Sequence, residues 1–150
     1  MLEVYIKGKK IRVKPSQSIG KGGEADVYDI GKGQALKIFK QPDHPDYQNL
    51  PAAQAAAADR LEEQQFKLRL FPGNLPDRVV QPQELATDFI ESQILGYTMP
   101  LIAGAELLLK YSDRTFRQTS GIPTQTVVQI FQDLHQTVQN IHQTGAIIGD

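Results

Sequence analysis

"SIGKGGEADVYDIGKGQALKIF", residues 18–39, holds five glycines and a lysine, Lys37, with apolar neighbours on both sides. The runs "DVYDI" and "QALKIFK" are rich in β-branched and aromatic residues. Gly31-Lys32-Gly33 lies between them, so the stretch predicts two strands joined by a tight turn. The glycines at 20, 22 and 23 precede a strand rather than a helix, and that decides which loop they can make. A Walker-type phosphate loop needs Gly-Lys followed by Ser or Thr at a helix start, whereas Gly20-Lys21 is followed by Gly22. The dinucleotide fingerprint also needs a helix after its glycines, and here "DVYDI" follows. A third design puts the glycines in the turn of a β-hairpin, with a lysine on the next strand, and the spacing supports it. Taken alone, the same glycines also suit the plain turns of a β-meander.

Working outward, "LEVYIKGKKIRV" predicts a hairpin turning at Lys7-Gly8-Lys9. The segment "KQPDHPDYQNLP", with prolines at 42, 45 and 51, reads as a connecting loop. Ala52 to Phe71 is dominated by strong helix formers, with Leu61, Leu68 and Phe71 on one stripe and Phe66 and Leu70 on a second; Pro72-Gly73 ends it. "RVVQPQELATD" and "QILGYTMPLI" read as two further strands, and "AELLLKYSD" starts a short helix. A longer helix is expected from Thr126 to Thr144. Val127, Ile130, Phe131, Leu134, Val138 and Ile141 share one face of it, and Gly145 caps it. Strands, helix, strands and helices in that order predict an α+β fold.

The chain has 150 residues, 40% of them hydrophobic, enough for one ordinary core. A formal charge of -1 lends no support to a nucleic-acid or membrane-surface role, and neither partner is expected. Without cysteine there is no disulfide or thiolate chemistry. The charged N-terminus is unlike a signal peptide, and no run is long enough to span a bilayer, so a cytoplasmic location is expected. His135 and His142 fall on one helix face without a supporting ligand, and no metal site is expected.

Several motifs, in order from about Ser16 to Asp150, resemble the protein kinase-like superfamily, as in bacterial eukaryotic-type Ser/Thr kinases. "GKGGEADVY" resembles the kinase glycine-rich loop, with Gly20 and Gly22 at the first two glycine positions and Ala25 at the third. The resemblance makes Gly20, Lys21, Gly22, Gly23, Glu24 and Ala25 the loop over the ATP phosphates and Val27 the adenine roof. "QALK" is similar to the strand motif in which Ala35 would line the adenine pocket and Lys37 would contact the α- and β-phosphates. A glutamate on the next helix would hold that lysine. Glu62 is preferred because it shares a face with Phe66, and Glu63 sits nearly as close. "GYTMPLIAG" is similar to the strand entering the interlobe hinge, implying Met99 as gatekeeper beside the adenine, a carbonyl acceptor at Pro100 and an N–H donor at Ile102. "IHQTGAIIGD" resembles the approach to the catalytic loop, with Asp150 accepting the substrate hydroxyl proton.

The resemblance implies residues 1–99 as a small lobe, 100–104 as a hinge and 105–150 as the first part of a large lobe. It also implies ATP and Mg2+ as cofactors, with a protein substrate. The metal-holding asparagine and Asp-Phe-Gly aspartate are not in the sequence. The expected context is therefore a longer Ser/Thr kinase-like parent, with this chain inactive by itself. Ile148-Gly149 stands where His-Arg is usual, and glycine there is also similar to aminoglycoside phosphotransferases. A small-molecule kinase and a pseudokinase module therefore stay open. The apolar face of the last helix predicts association of the chain into a dimer.

Overall fold

The computed structural model describes residues 2–148, so Asp150 lies outside the described residues. The chain forms two compact units, residues 2–71 with 80–101 and residues 72–79 with 102–148. The first unit contains the strands β1 (Leu2–Ile6), β2 (Lys9–Val13), β3 (Ser18–Lys21), β4 (Ala25–Gly31), β5 (Gln34–Phe39), β6 (Leu85–Thr87) and β7 (Ile94–Pro100), and helix α1 (Pro51–Lys67). The strands make one antiparallel sheet in the order β2-β1-β6-β7-β5-β4-β3. This is an α+β arrangement compatible with the small lobe of a protein kinase.

Two hairpins form for the same local reason. Ile6 pairs with Lys9 and Gly31 with Gln34, which leaves two-residue turns, Lys7-Gly8 and Lys32-Gly33. All four turn residues have positive φ, between 50° and 71°. Such turns match the twist of the flanking strands, and glycine at the second position makes them inexpensive.

Each face of the sheet has its own core. Val4, Val13, Leu36, Ile38 and Ala86 are buried on one side, with Leu2, Ile6 and Ile11 packed around them. On the other side Ala25, Phe39 and Ile94 meet Leu61 and Leu68 from α1 and the turn after it. Burying a Leu-sized side chain contributes roughly 1.5–3 kcal/mol, so these contacts, rather than helix propensity, fix how α1 docks.

The observed elements depart from expectation in four places. Pro51 belongs to α1 as its first residue, where the missing N–H would have had no helical partner. The proline-rich segment carries a 3-10 turn, Pro45–Tyr47, whose Tyr47 is buried. The inward residues of α1 are Ala57 and Leu61, whereas Phe66 and Leu70 of the second expected stripe are exposed. The strand expected within "RVVQPQELATD" narrows to Leu85–Thr87, because Pro82 has no N–H to donate to a ladder.

In the second unit a 3-10 segment, Leu108–Ser112, leads to α2 (Arg114–Thr119), and α3 spans Thr124–Gln143. Asp113 caps α2 by accepting the Phe116 N–H at 2.6 Å. Residues 72–79 join this unit with an ion pair, Arg78 Nη1 to Asp133 Oδ2 at 2.7 Å. Gly145, at φ +84°, follows α3 as expected, donating to the His142 carbonyl at 3.0 Å. His142 is exposed.

Candidate functional site

Directly registered residues of antiparallel strands point to the same side, and so do residues two apart along one strand. Gly20 is registered with Val27, Val27 with Lys37, Lys37 with Tyr97, and Tyr97 with Leu85. One pair along, Ala35 faces Met99. Val27, Ala35, Lys37 and Met99 therefore share one face of the sheet. It is the face on which Ala25 and Phe39 pack against α1.

Ala35 is fully buried, while Val27, Lys37 and Met99 are half-buried. Lys37 Nζ lies 5.7 Å from the centre of the Tyr97 ring, a cation–π contact. Among the described residues no carboxylate comes within ion-pair distance of it. Strand β7 can lie this close to β5 because residue 96 is glycine: a Cβ there would sit 2.0 Å from the Lys37 carbonyl oxygen.

The expected pairing of Lys37 with Glu62 is not formed. Glu62 and Glu63 are both exposed, and Glu63 pairs with Lys67 at 3.0 Å. The reason is the rotation of α1: with Ala57, Leu61 and Leu68 inward, the residue that reaches the sheet is Gln65. Its Oε1 accepts the Ile94 N–H at 2.7 Å, and its Nε2 donates to the Ile94 carbonyl at 2.9 Å. Counting alanine among the inward residues would have pointed to position 65.

The glycine turn connects β3 to β4. Lys21, Gly22, Gly23 and Glu24 are exposed, Gly20 is half-buried and Ala25 is buried. The Gly22 N–H donates to the Ala25 carbonyl at 2.9 Å, and a Cβ on Gly22 would come within 3.2 Å of that same oxygen. Among the described residues the N–H groups of Gly23 and Glu24 have no acceptor. Pro100 is exposed at the end of β7, and the Leu101 N–H bonds to the Gly33 carbonyl at 2.8 Å. Ile102 belongs to the second unit and is exposed.

Sequence reasoning missed Lys40. Its side chain is 3% exposed, hydrogen-bonded to Asp46 and 3.7 Å from Asp26 Oδ1. The Asp46 bond, more than any other contact, holds the Lys40 ammonium above the ordinary lysine range and the Asp46 carboxyl below the ordinary carboxylate range. Asp26, Lys40 and His44 also line a cavity of about 320 Å³ with Tyr28, Ile38 and Leu95. A lysine three residues after another in a buried strand, ahead of a segment holding Asp43 and Asp46, was the available signal.

This sheet, with a glycine turn and a lysine on one face, is compatible with the small lobe of a protein kinase. The chain is distantly similar to protein kinase YegI of Escherichia coli O157:H7, 26% identical over 142 residues. That match covers 92% of this chain but 20% of the relative, so the chain spans about a fifth of its length. No protein-family model matches the chain, and no solved structure matches it significantly.

Proposed function

We propose that the first unit is the ATP-binding part of a kinase-like phosphotransferase, with the nucleotide on the sheet face that carries Lys37. The observation behind this reading is the strand register, which sets Val27, Ala35, Lys37 and Met99 on one face beside the glycine turn. These residues fit a nucleotide triphosphate. Val27 and Met99 give the apolar surface for a base, with Ala35, buried on the same face, in register with Met99. Lys37 offers a cation free of any carboxylate among the described residues. Gly23 and Glu24 offer N–H donors, and successive backbone amides in a turn suit phosphate oxygens.

In this reading Lys37 orients the α- and β-phosphates, the turn from Gly20 to Ala25 covers them, and Pro100 meets the adenine edge. The nucleotide supplies the phosphoryl group. Among the described residues no group of three or more His, Cys, Asp or Glu side chains gathers to hold a metal. Asp150 is the proposed base, and the second unit is read as the first helices of a kinase-like large lobe. The proposed substrate hydroxyl is that of a protein Ser or Thr.

A binding module without catalysis is the second reading. It is favoured by the absence, among the described residues, of a glutamate partner for Lys37, since Glu62 is exposed.

Calorimetric titration with a non-hydrolysable ATP analogue tests the binding claim. A hydrogen bond to a charged group is worth about 1.5–3 kcal/mol, so Lys37→Ala is expected to weaken affinity roughly tenfold or more. Equal affinity in the two proteins would remove Lys37 from the site.

A further inference from the structure

The segment after β5 does more than connect. Its groups reach back to three consecutive carbonyls of the exposed glycine turn, those of Gly22, Gly23 and Glu24. Lys40 Nζ donates to the Gly22 carbonyl at 2.6 Å. Tyr47 Oη donates to the Gly23 carbonyl at 2.6 Å. The Lys40 N–H donates to the Glu24 carbonyl at 2.9 Å. Arg60 of α1 adds a bond from Nη2 to Tyr47 Oη at 3.3 Å and an ion pair from Nε to Glu24 Oε1 at 3.4 Å.

Both anchoring side chains are buried and fixed from behind. Tyr47 is 7% exposed, and Lys40 is gripped by Asp46 with Asp26 close by. Asp26 Oδ1 is buried with no hydrogen-bond donor, so its charge is balanced chiefly by the Lys40 ammonium beside it. The result is one-sided: consecutive carbonyls of the turn are taken up by protein, and the N–H groups of Gly23 and Glu24 are left over.

We propose that Lys40 and Tyr47 are positioning residues that hold the glycine turn in one conformation before any ligand arrives, presenting the Gly23 and Glu24 amides to a polyphosphate. A turn rich in glycine has more conformational freedom to lose on binding than any other sequence. Fixing it in the free protein removes that loss from the binding step, which raises affinity without a new contact to the ligand. The clamp works through the turn backbone, so neither side chain need touch the nucleotide.

The proposal rests on the nucleotide reading of the Lys37 face, and the test separates the two. Tyr47→Phe removes only the hydroxyl and keeps the buried ring. Lys40→Met keeps the stem and removes the ammonium. Wild type and both variants are compared by backbone 15N relaxation at Gly22, Gly23 and Glu24 without ligand, and by titration with the ATP analogue.

The turn amides of the wild type are expected to be as rigid as the flanking strands. In Tyr47→Phe they become mobile and affinity falls about tenfold, with cross-peaks of the α1 core unmoved. Should Lys40→Met fail to fold, Tyr47→Phe decides alone. Wild-type affinity in Tyr47→Phe, or a turn as mobile in the wild type as in the variant, overturns the proposal while leaving the Lys37 site standing. A rigid, clamped turn in a wild type that binds no analogue overturns the nucleotide reading, and the role in presenting amides to phosphate goes with it.

Discussion

At the scale of single residues, two lysines three positions apart have opposite fates because strand β5 alternates its faces. Lys37 stays half-buried with the Tyr97 ring beside it, and Lys40 is buried among carboxylates. The first reading was legible in the sequence, since "QALK" after a glycine turn marks one lysine. The second was not, because a buried lysine depends on partners, Asp46 and the Gly22 carbonyl, that only the folded chain assembles.

The clamp also predicts a pH dependence. Asp46 is depressed by its bond from Lys40, so its contribution to stability is present above an aspartate's ordinary 3.8 and is lost as pH falls through the lower folded value. Lys40 is raised by the same bond. Its contribution is complete below an ordinary lysine's 10.5 and is lost as pH rises through the higher folded value. The groups facing this pair are Asp26, His44, Tyr47 and Lys21. Urea denaturation of the wild type and Asp46→Asn should therefore show a stability gap that is constant across the neutral range and closes at strongly acidic pH. A gap that persists unchanged below the folded Asp46 value would mean the ion pair is not its source.

At the scale of elements, the sheet was more legible than the helix. Both Lys-Gly hairpins and the strand carrying Lys37 follow from local turn chemistry and alternation. The orientation of α1 does not, because Phe66 and Leu70 look like core and are exposed, whereas Ala57 is buried. That single rotation put Glu62 outside and Gln65 inside.

Gln65→Ala would leave the buried Ile94 N–H and carbonyl without partners, at about 1–3 kcal/mol each. Thermal or urea unfolding should show this as a loss of about 2–6 kcal/mol, against less than about 0.5 kcal/mol for Glu62→Ala at its exposed site. Comparable losses in the two variants would contradict the observed rotation. Gly96→Ala belongs to the same scale. Its Cβ would strike the Lys37 carbonyl, and backbone cannot yield as a side-chain tip can. The expected cost is about 3 kcal/mol, read as a lowered Tm. An unchanged Tm would show that β5 and β7 are not packed this closely.

At the scale of the whole molecule, the two units differ in how they satisfy apolar surface. The first has a core on each side of its sheet. The second has no fully buried side chain on α3: on its expected apolar face Phe131 and Leu134 are 53% and 43% exposed, and Val127, Ile130, Val138 and Ile141 are half-buried. Among the described residues no helix is long and apolar enough to cross a membrane. The association expected of this α3 face is checked by light scattering across concentrations. A mass that rises toward the dimer, and that Phe131→Glu returns to the monomer, would support it; a monomer at every concentration would contradict it.

The α+β class and the sheet face that carries the candidate site were legible from motif order, because β-hairpins and the "QALK" strand are local. What covers that face, and what holds the glycine turn, came from long-range partners that no local pattern records.

The most direct test of the central claim is an NMR titration of the isotope-labelled chain with a non-hydrolysable ATP analogue. The expected result is saturable shift changes at Gly22, Gly23, Glu24, Val27, Ala35, Lys37 and Met99, with Val4, Val13 and Ala86 of the opposite core unmoved. Changes confined to that opposite core, or no saturable change at all, would contradict it.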